Sequence, residues 1–291
     1  MRKQLKVDWS RDAGNAYLEP ALRRYQRYLE NLGFSRQTID SYLFRCKKYL
    51  EFSKTDQPSE GDFAEFRDCL QDKRLARNTM NNYGFAMRKY HLMIGKPVEF
   101  NYLKPNDTIP FYFDEADINK IFCACGNIKH YAMLVTMFYE CLRVSELCDL
   151  NDEDIDFRAM SVRIKNGKWR RDALIPLNPE VCGVLKDYLA IRPSIKVEDQ
   201  HPLFITDYLR RWHRADVYRM FTNYKKKAGV DKIGGVHVFG RHSPASILVK
   251  NGCDIMTIKN LMRHKDITTT SRYLHISDED MRQKHNKYLK I

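Results

Sequence analysis

Apolar side chains recur at helical spacing from Tyr17 to about Gly95. Leu18, Leu22, Tyr25, Tyr28 and Leu29 form one stripe, which Gly33 ends. Ser35 is placed to cap a second helix with the stripe Ile39, Tyr42, Leu43, Cys46, Tyr49 and Leu50. A third spans about Glu60 to Lys73, carrying Phe63, Phe66 and Leu70, and a fourth starts near Asn78 with Met80, Tyr83, Ala86, Met87 and Tyr90. Four short helices of this kind make one small domain.

Lys104-Pro-Asn-Asp-Thr-Ile-Pro110 interrupts the pattern, because two prolines and polar neighbours disfavour helix. The expected organisation is a helical domain at 1–104, a linker at 105–112 and a second domain at 113–291. Helices are expected near Glu115–Cys125 and His130–Cys141. The period then changes: Ile155–Phe157, Ser161–Lys165 and Ala173–Leu177 read as short strands, with Asn166-Gly167 as a hairpin turn. Helices resume at about Pro179–Ile191, Ala215–Ala228, Ala245–Lys250, Asp254–Met262 and Asp278–Leu289. The fold class is therefore mainly α in two domains, the second carrying a small antiparallel β-sheet.

Charge narrows the partner. The 291 residues carry a formal net charge of +13, which favours a polyanion. Basic residues cluster on the polar sides of successive helices: Arg23, Arg24 and Arg27; Arg45, Lys47 and Lys48; Arg74, Arg77, Arg88 and Lys89. No apolar run approaches the roughly 20 residues of a membrane helix, and the charged start of the chain lacks a signal-peptide core. Double-stranded DNA in the cytoplasm fits better than a membrane. The eight cysteines are irregularly spaced and only Cys123 and Cys125 are close, so buried reduced thiols are expected rather than a zinc site or disulfides.

Candidate chemistry concentrates in the last quarter. Arg241-His242, Met262-Arg263-His264 and Tyr273-Leu-His275 set a tyrosine among cationic and imidazole groups. Breaking a DNA strand without a metal needs a nucleophile, cations for the phosphorane charge and a proton donor for the departing 5′-oxygen. Arginine suits the second task through its planar fork, and lysine or histidine suits the third. Arg143 lies upstream in an apolar stretch with Glu146 three residues on, and Lys165 and Lys168 flank the predicted hairpin turn.

Leu142-Arg143-Val-Ser-Glu146-Leu resembles the first arginine box of the tyrosine recombinases, the integrase/Xer family. Arg241-His242, Met262-Arg263-His264 and Thr269-Thr-Ser-Arg-Tyr273-Leu-His275 resemble the second, in matching order. The resemblance implies that Tyr273 attacks the scissile phosphate to give a 3′-phosphotyrosyl link. Arg143 and Arg241 would grip the phosphate and His264 would hydrogen-bond it. Lys168, or failing that Lys165, would protonate the leaving 5′-hydroxyl, with Glu146 supporting the site. Neither a metal nor a cofactor is implied. The family assembles as a homo-tetramer on paired sites, its two domains closing on DNA and its terminal helix packing into a neighbour.

One departure stands out. The family reads His-x-x-Arg-His, which would put histidine at 238, but this chain has Val238, with His237 one place earlier and Gly240 before the arginine. Either a local shift returns His237 to the site, with Gly240 permitting it, or the general base is missing. The rival readings are a type IB topoisomerase-like relaxer and a DNA-binding protein descended from a recombinase.

Overall fold

The computed structural model describes residues 17–104, 111–165, 172–197, 200–273 and 285–286. The chain divides into two compact units, Met1–Asn106 and Asp107–Ile291. The first contains α1 (Leu18–Asn31), α2 (Arg36–Ser53), α3 (Glu60–Asp72) and α4 (Arg77–Met93). Ser35 Oγ accepts the Thr38 amide at 3.3 Å to start α2, and Ser59 with Asp62 forms a capping box on α3. The helical stripes meet in a core that includes Tyr25, Leu29, Cys46, Tyr49, Leu50, Met87 and Tyr90, all without solvent exposure. Its phenols find partners, as buried hydroxyls must. Tyr90 donates to the Asp56 carbonyl at 2.9 Å, and Tyr49 Oη lies 2.8 Å from His91 Nε2. Arg23, Arg24, Arg27, Lys48, Arg74, Arg77 and Arg88 stay exposed.

The second unit begins with α5 (Glu115–Ala124), α6 (Ile128–Tyr139) and α7 (Val144–Asp149). Strands β1 (Ile155–Asp156), β2 (Ser161–Ile164) and β3 (Ala173–Pro176) follow, then α8 (Pro179–Ile191) and α9 (Arg214–Lys227). A π-helical turn, Val238–His242, runs directly into α10 (Ser243–Lys250), with α11 (Ile255–Leu261) and α12 (Thr268–Ser271) behind it. The sheet is antiparallel in the order β1-β2-β3, with Val162 opposite Ile175 and Ile164 opposite Ala173. Residues Ala132 to Met137 of α6 are all buried, as expected for a helix enclosed on every side. The helix packs on α8 and on the π-turn. A smaller cluster of Cys141, Ala245, Ile258, Met262 and Tyr273 underlies the site.

The fold is thus mainly helical with one small antiparallel sheet. Sequence periodicity did not anticipate α7, α12 or the π-turn, each shorter than two α-helical turns. Cys46, Cys141, Cys148 and Cys182 are buried free thiols, Cys69, Cys125 and Cys253 are half-buried, and Cys123 is exposed. Residues 105–110 of the expected linker, Asn166-Gly167, Lys168, His275 and most of the expected terminal helix lie outside the described residues.

Candidate active site

The chain turns sharply after α6. Cys141 adopts a left-handed conformation, φ +49°, and its carbonyl receives two guanidinium groups: Arg241 Nη1 at 2.6 Å and Arg263 Nη2 at 2.8 Å. Arg143 follows at the N-cap of α7. Its amide donates to Glu146 Oε2 at 2.8 Å, and its Nη1 donates to Glu146 Oε1 at 2.5 Å. Glu146 Oε2 also accepts from Arg263 Nη2 at 2.7 Å. One buried carboxylate therefore spans two arginines. Burial alone would raise the Glu146 pKa, but Arg263 and Arg143 together hold it below its usual value.

Arg241 is 2% exposed, and its Nη2 donates to the Met262 carbonyl at 2.5 Å. Burial first, then Arg143 and Arg263, pushes its pKa down to about 9, so it remains charged at neutral pH. A guanidinium has five donor hydrogens, and the two carbonyl contacts leave others for an anion.

Tyr273 follows α12 and is 5% exposed. Its hydroxyl lies 2.7 Å from His242 Nδ1. Burial raises its pKa more than Arg241 and Arg272 lower it. The neighbouring cations alone therefore do not ionise the resting phenol, and proton removal needs a base. His242 is pushed down to about 4, by burial and then by His237, Arg272 and Arg241. It is neutral and able to accept. His264 is also pushed down to about 4, chiefly by burial and then by Arg241 and Arg143. Its Nδ1 lies 2.9 Å from Thr270 Oγ1.

Arg143, His237, Arg241, His242, His264 and Tyr273 line a single cavity of about 470 Å³, together with Arg263 and Arg272. Of the expected site residues, Arg143, His237, Arg241, His264 and Tyr273 open onto it, whereas Glu146 and Lys165 are not among its lining. His237 is among them, its ring centroid 5.1 Å from that of His242. Lys165, the alternative to Lys168, is held by Asp154 at 2.9 Å and Glu153 at 3.2 Å. The first of these contacts is the main cause of its raised pKa. Sequence reasoning gave no role to two residues. His242 was noted only as the neighbour of Arg241, and Arg263 went unassigned because its partners Glu146 and Cys141 lie far away in sequence.

The phage integrase family matches residues 112–280. The chain is 30% identical over 283 residues to a tyrosine recombinase of Thermosipho africanus, covering 90% of this chain and 97% of that protein. It is 27% identical over 271 residues to tyrosine recombinase XerA of Pyrococcus horikoshii, covering 90% and 91% respectively. Its fold is similar to the crystal structure of XerH site-specific recombinase bound to difH substrate, with TM-score 0.74 at 17% identity, covering 94% of this chain and 97% of that one. The chain belongs to the phage integrase family and is a tyrosine recombinase of the Xer type, an enzyme that cleaves and rejoins DNA strands at defined sites.

Proposed function

We propose that this chain cuts duplex DNA with Tyr273 as nucleophile, forming a 3′-phosphotyrosyl bond and releasing a 5′-hydroxyl. The carrying observation is Tyr273 in one cavity with Arg143, Arg241, His237, His242 and His264. In this reading the phenol donates to His242 Nδ1 and leaves its proton there as its oxygen attacks phosphorus. Arg143 and Arg241 neutralise the non-bridging oxygens, whose charge grows in the transition state. Thr270 donates to His264 Nδ1, so that Nε2–H faces the phosphate. The P–O5′ bond breaks as Lys168 protonates the departing oxygen, a role supported by the resemblance of its segment. Rejoining reverses each transfer. The phosphotyrosyl bond conserves the phosphodiester energy, so no nucleotide cofactor or metal enters.

The first unit is proposed as a core-DNA-binding domain at 1–104, its exposed arginines and lysines neutralising backbone phosphates. The second, at 113–291, is the catalytic domain, with 105–112 as the linker. The XerH relative bound to difH supports duplex DNA as the partner. A homo-tetramer on paired sites acting in the cytoplasm, with integration, excision or dimer resolution as the outcome, completes the reading. Among the described residues no helix is long and apolar enough to cross a membrane. The test is to incubate the protein with duplexes carrying two copies of its site. Recombinant strands are the expected product, whereas relaxation of supercoils without recombinants would favour the topoisomerase-like reading.

A further inference from the structure

We propose that the π-turn Val238–His242 positions His237, and that Gly240 is the extra residue it absorbs. The inference rests on the catalytic reading of the cavity and deepens it. His237 and His242 are five residues apart. In an α-helix, at about 100° per residue, they would point some 140° away from each other. A π-turn closes i to i+5, stacking residues five apart. The observed bond of this kind runs from the Ser243 amide to the Val238 carbonyl. The two imidazole rings accordingly meet edge to face at 5.1 Å, both on the cavity wall.

Neighbouring residues account for the irregular turn. Pro244 lacks the N–H that would bond to the carbonyl of residue 240, and its ring crowds that carbonyl. Ser243 fastens the widened turn: its hydroxyl donates to the Val238 carbonyl at 3.0 Å and accepts the Phe113 amide at 2.9 Å. Gly240 lies against α6, where an added Cβ would stand 2.6 Å from Met137 Cε and 2.7 Å from Cγ. Met137 is fully buried. Val238, at the position where the family pattern would place histidine, instead packs against the apolar core of the unit. The turn therefore faces position 237, not 238, towards the cavity lined by Arg143 and Arg241.

This account makes an unusual prediction about deletion. Removing Gly240 would leave His237 three residues from Arg241 and four from His242, both on one face of an ordinary α-helix. Covalent adduct formation by the full-length deletion variant on a nicked duplex is expected to stay within about threefold of wild type. The double variant His237→Val, Val238→His keeps the chain length and matches the family spacing, yet should lose about tenfold or more because its imidazole faces the core. Ring-proton cross-relaxation between the two imidazoles, recorded by NMR without DNA, should persist in the deletion variant and vanish in the exchange. A folded deletion variant that loses the cross-peak, or an exchange variant that cleaves like wild type, would overturn the proposal. Failure of wild type to form an adduct would instead count against the catalytic reading. The cross-peaks still decide the positioning role in that case.

Discussion

His242 Nδ1 and the Tyr273 hydroxyl are 2.7 Å apart, a hydrogen bond that joins the π-turn to the segment just after α12. The pair matters because burial raises the phenol pKa. As the proposed nucleophile, a phenol that resists ionisation depends on a neighbour able to take its proton. Replacing His242 with alanine is therefore expected to slow single-turnover adduct formation about a hundredfold. Duplex affinity should be little changed. Equal loss of binding and cleavage would remove His242 from the chemistry.

The same burial sets the protonation state of the resting site. His242 and His264 both sit at about 4, against about 6.5 for an unperturbed imidazole. Both rings should remain neutral as pH falls from 8 to about 5, and gain a proton only near pH 4. An NMR titration of imidazole resonances in the DNA-free protein checks this directly. Midpoints near 6.5 would show that the cavity does not suppress the charge.

Glu146 holds Arg143 and Arg263 at once. Losing that buried charge leaves two guanidinium groups facing each other, a change typically costing about 3–5 kcal/mol. Glu146→Gln should lower the urea midpoint accordingly and impair cleavage through a displaced Arg143. Because the folded pKa of Glu146 is depressed, its contribution is complete above the unfolded carboxylate value and is lost as pH falls through the folded one. Arg263 adds a finer test, since it sits at φ +52°, a conformation only glycine adopts freely. Arg263→Ala loses the ion pair and keeps the strain, whereas Arg263→Gly relieves it. The glycine variant should be the more stable of the two by about 1 kcal/mol. The reverse order of melting temperatures would mean that the left-handed turn is not strained.

In the first unit the sensitive group is His91. It is fully buried, with Nε2 2.8 Å from Tyr49 Oη and Nδ1 3.0 Å from the Lys96 carbonyl. Burial, the largest influence, lowers its pKa. The unfolded chain therefore binds the proton more readily. The stabilisation is complete above about pH 6.5 and is lost as pH falls through the depressed folded value. Amide exchange in α2 and α4 of the full chain should accelerate between pH 7 and 5, after correction for intrinsic rates. His91→Leu should flatten that response, and an unchanged slope would show that His91 does not contribute.

Much of this was legible in the chain because it is carried by periodicity. Leu18, Tyr25 and Leu29, or Ile39, Cys46 and Tyr49, repeat on one face and are buried together. The Arg143, Arg241 and Tyr273 segments could be recognised because each keeps its proposed catalytic residue beside characteristic neighbours. What could not be read arises from contacts distant in sequence. Arg263 matters through Glu146 and the Cys141 carbonyl, 117 and 122 residues away. The displaced histidine depended on a helical turn whose period differs from both 3.6 and 2, so it appeared as a mismatch at Val238. Gly240 and Pro244 were the visible marks of that turn, but their meaning required the packing of Met137 and Phe113 against it.

The most direct test of the central claim is covalent capture. Wild-type protein incubated with a nicked suicide duplex, then denatured and resolved by electrophoresis, should yield a species carrying one DNA strand joined through its 3′-phosphate. Tyr273→Phe should bind the same duplex and yield none. An adduct that persists in Tyr273→Phe would assign the nucleophile elsewhere. A wild-type protein that binds its DNA yet never forms the adduct would contradict the account.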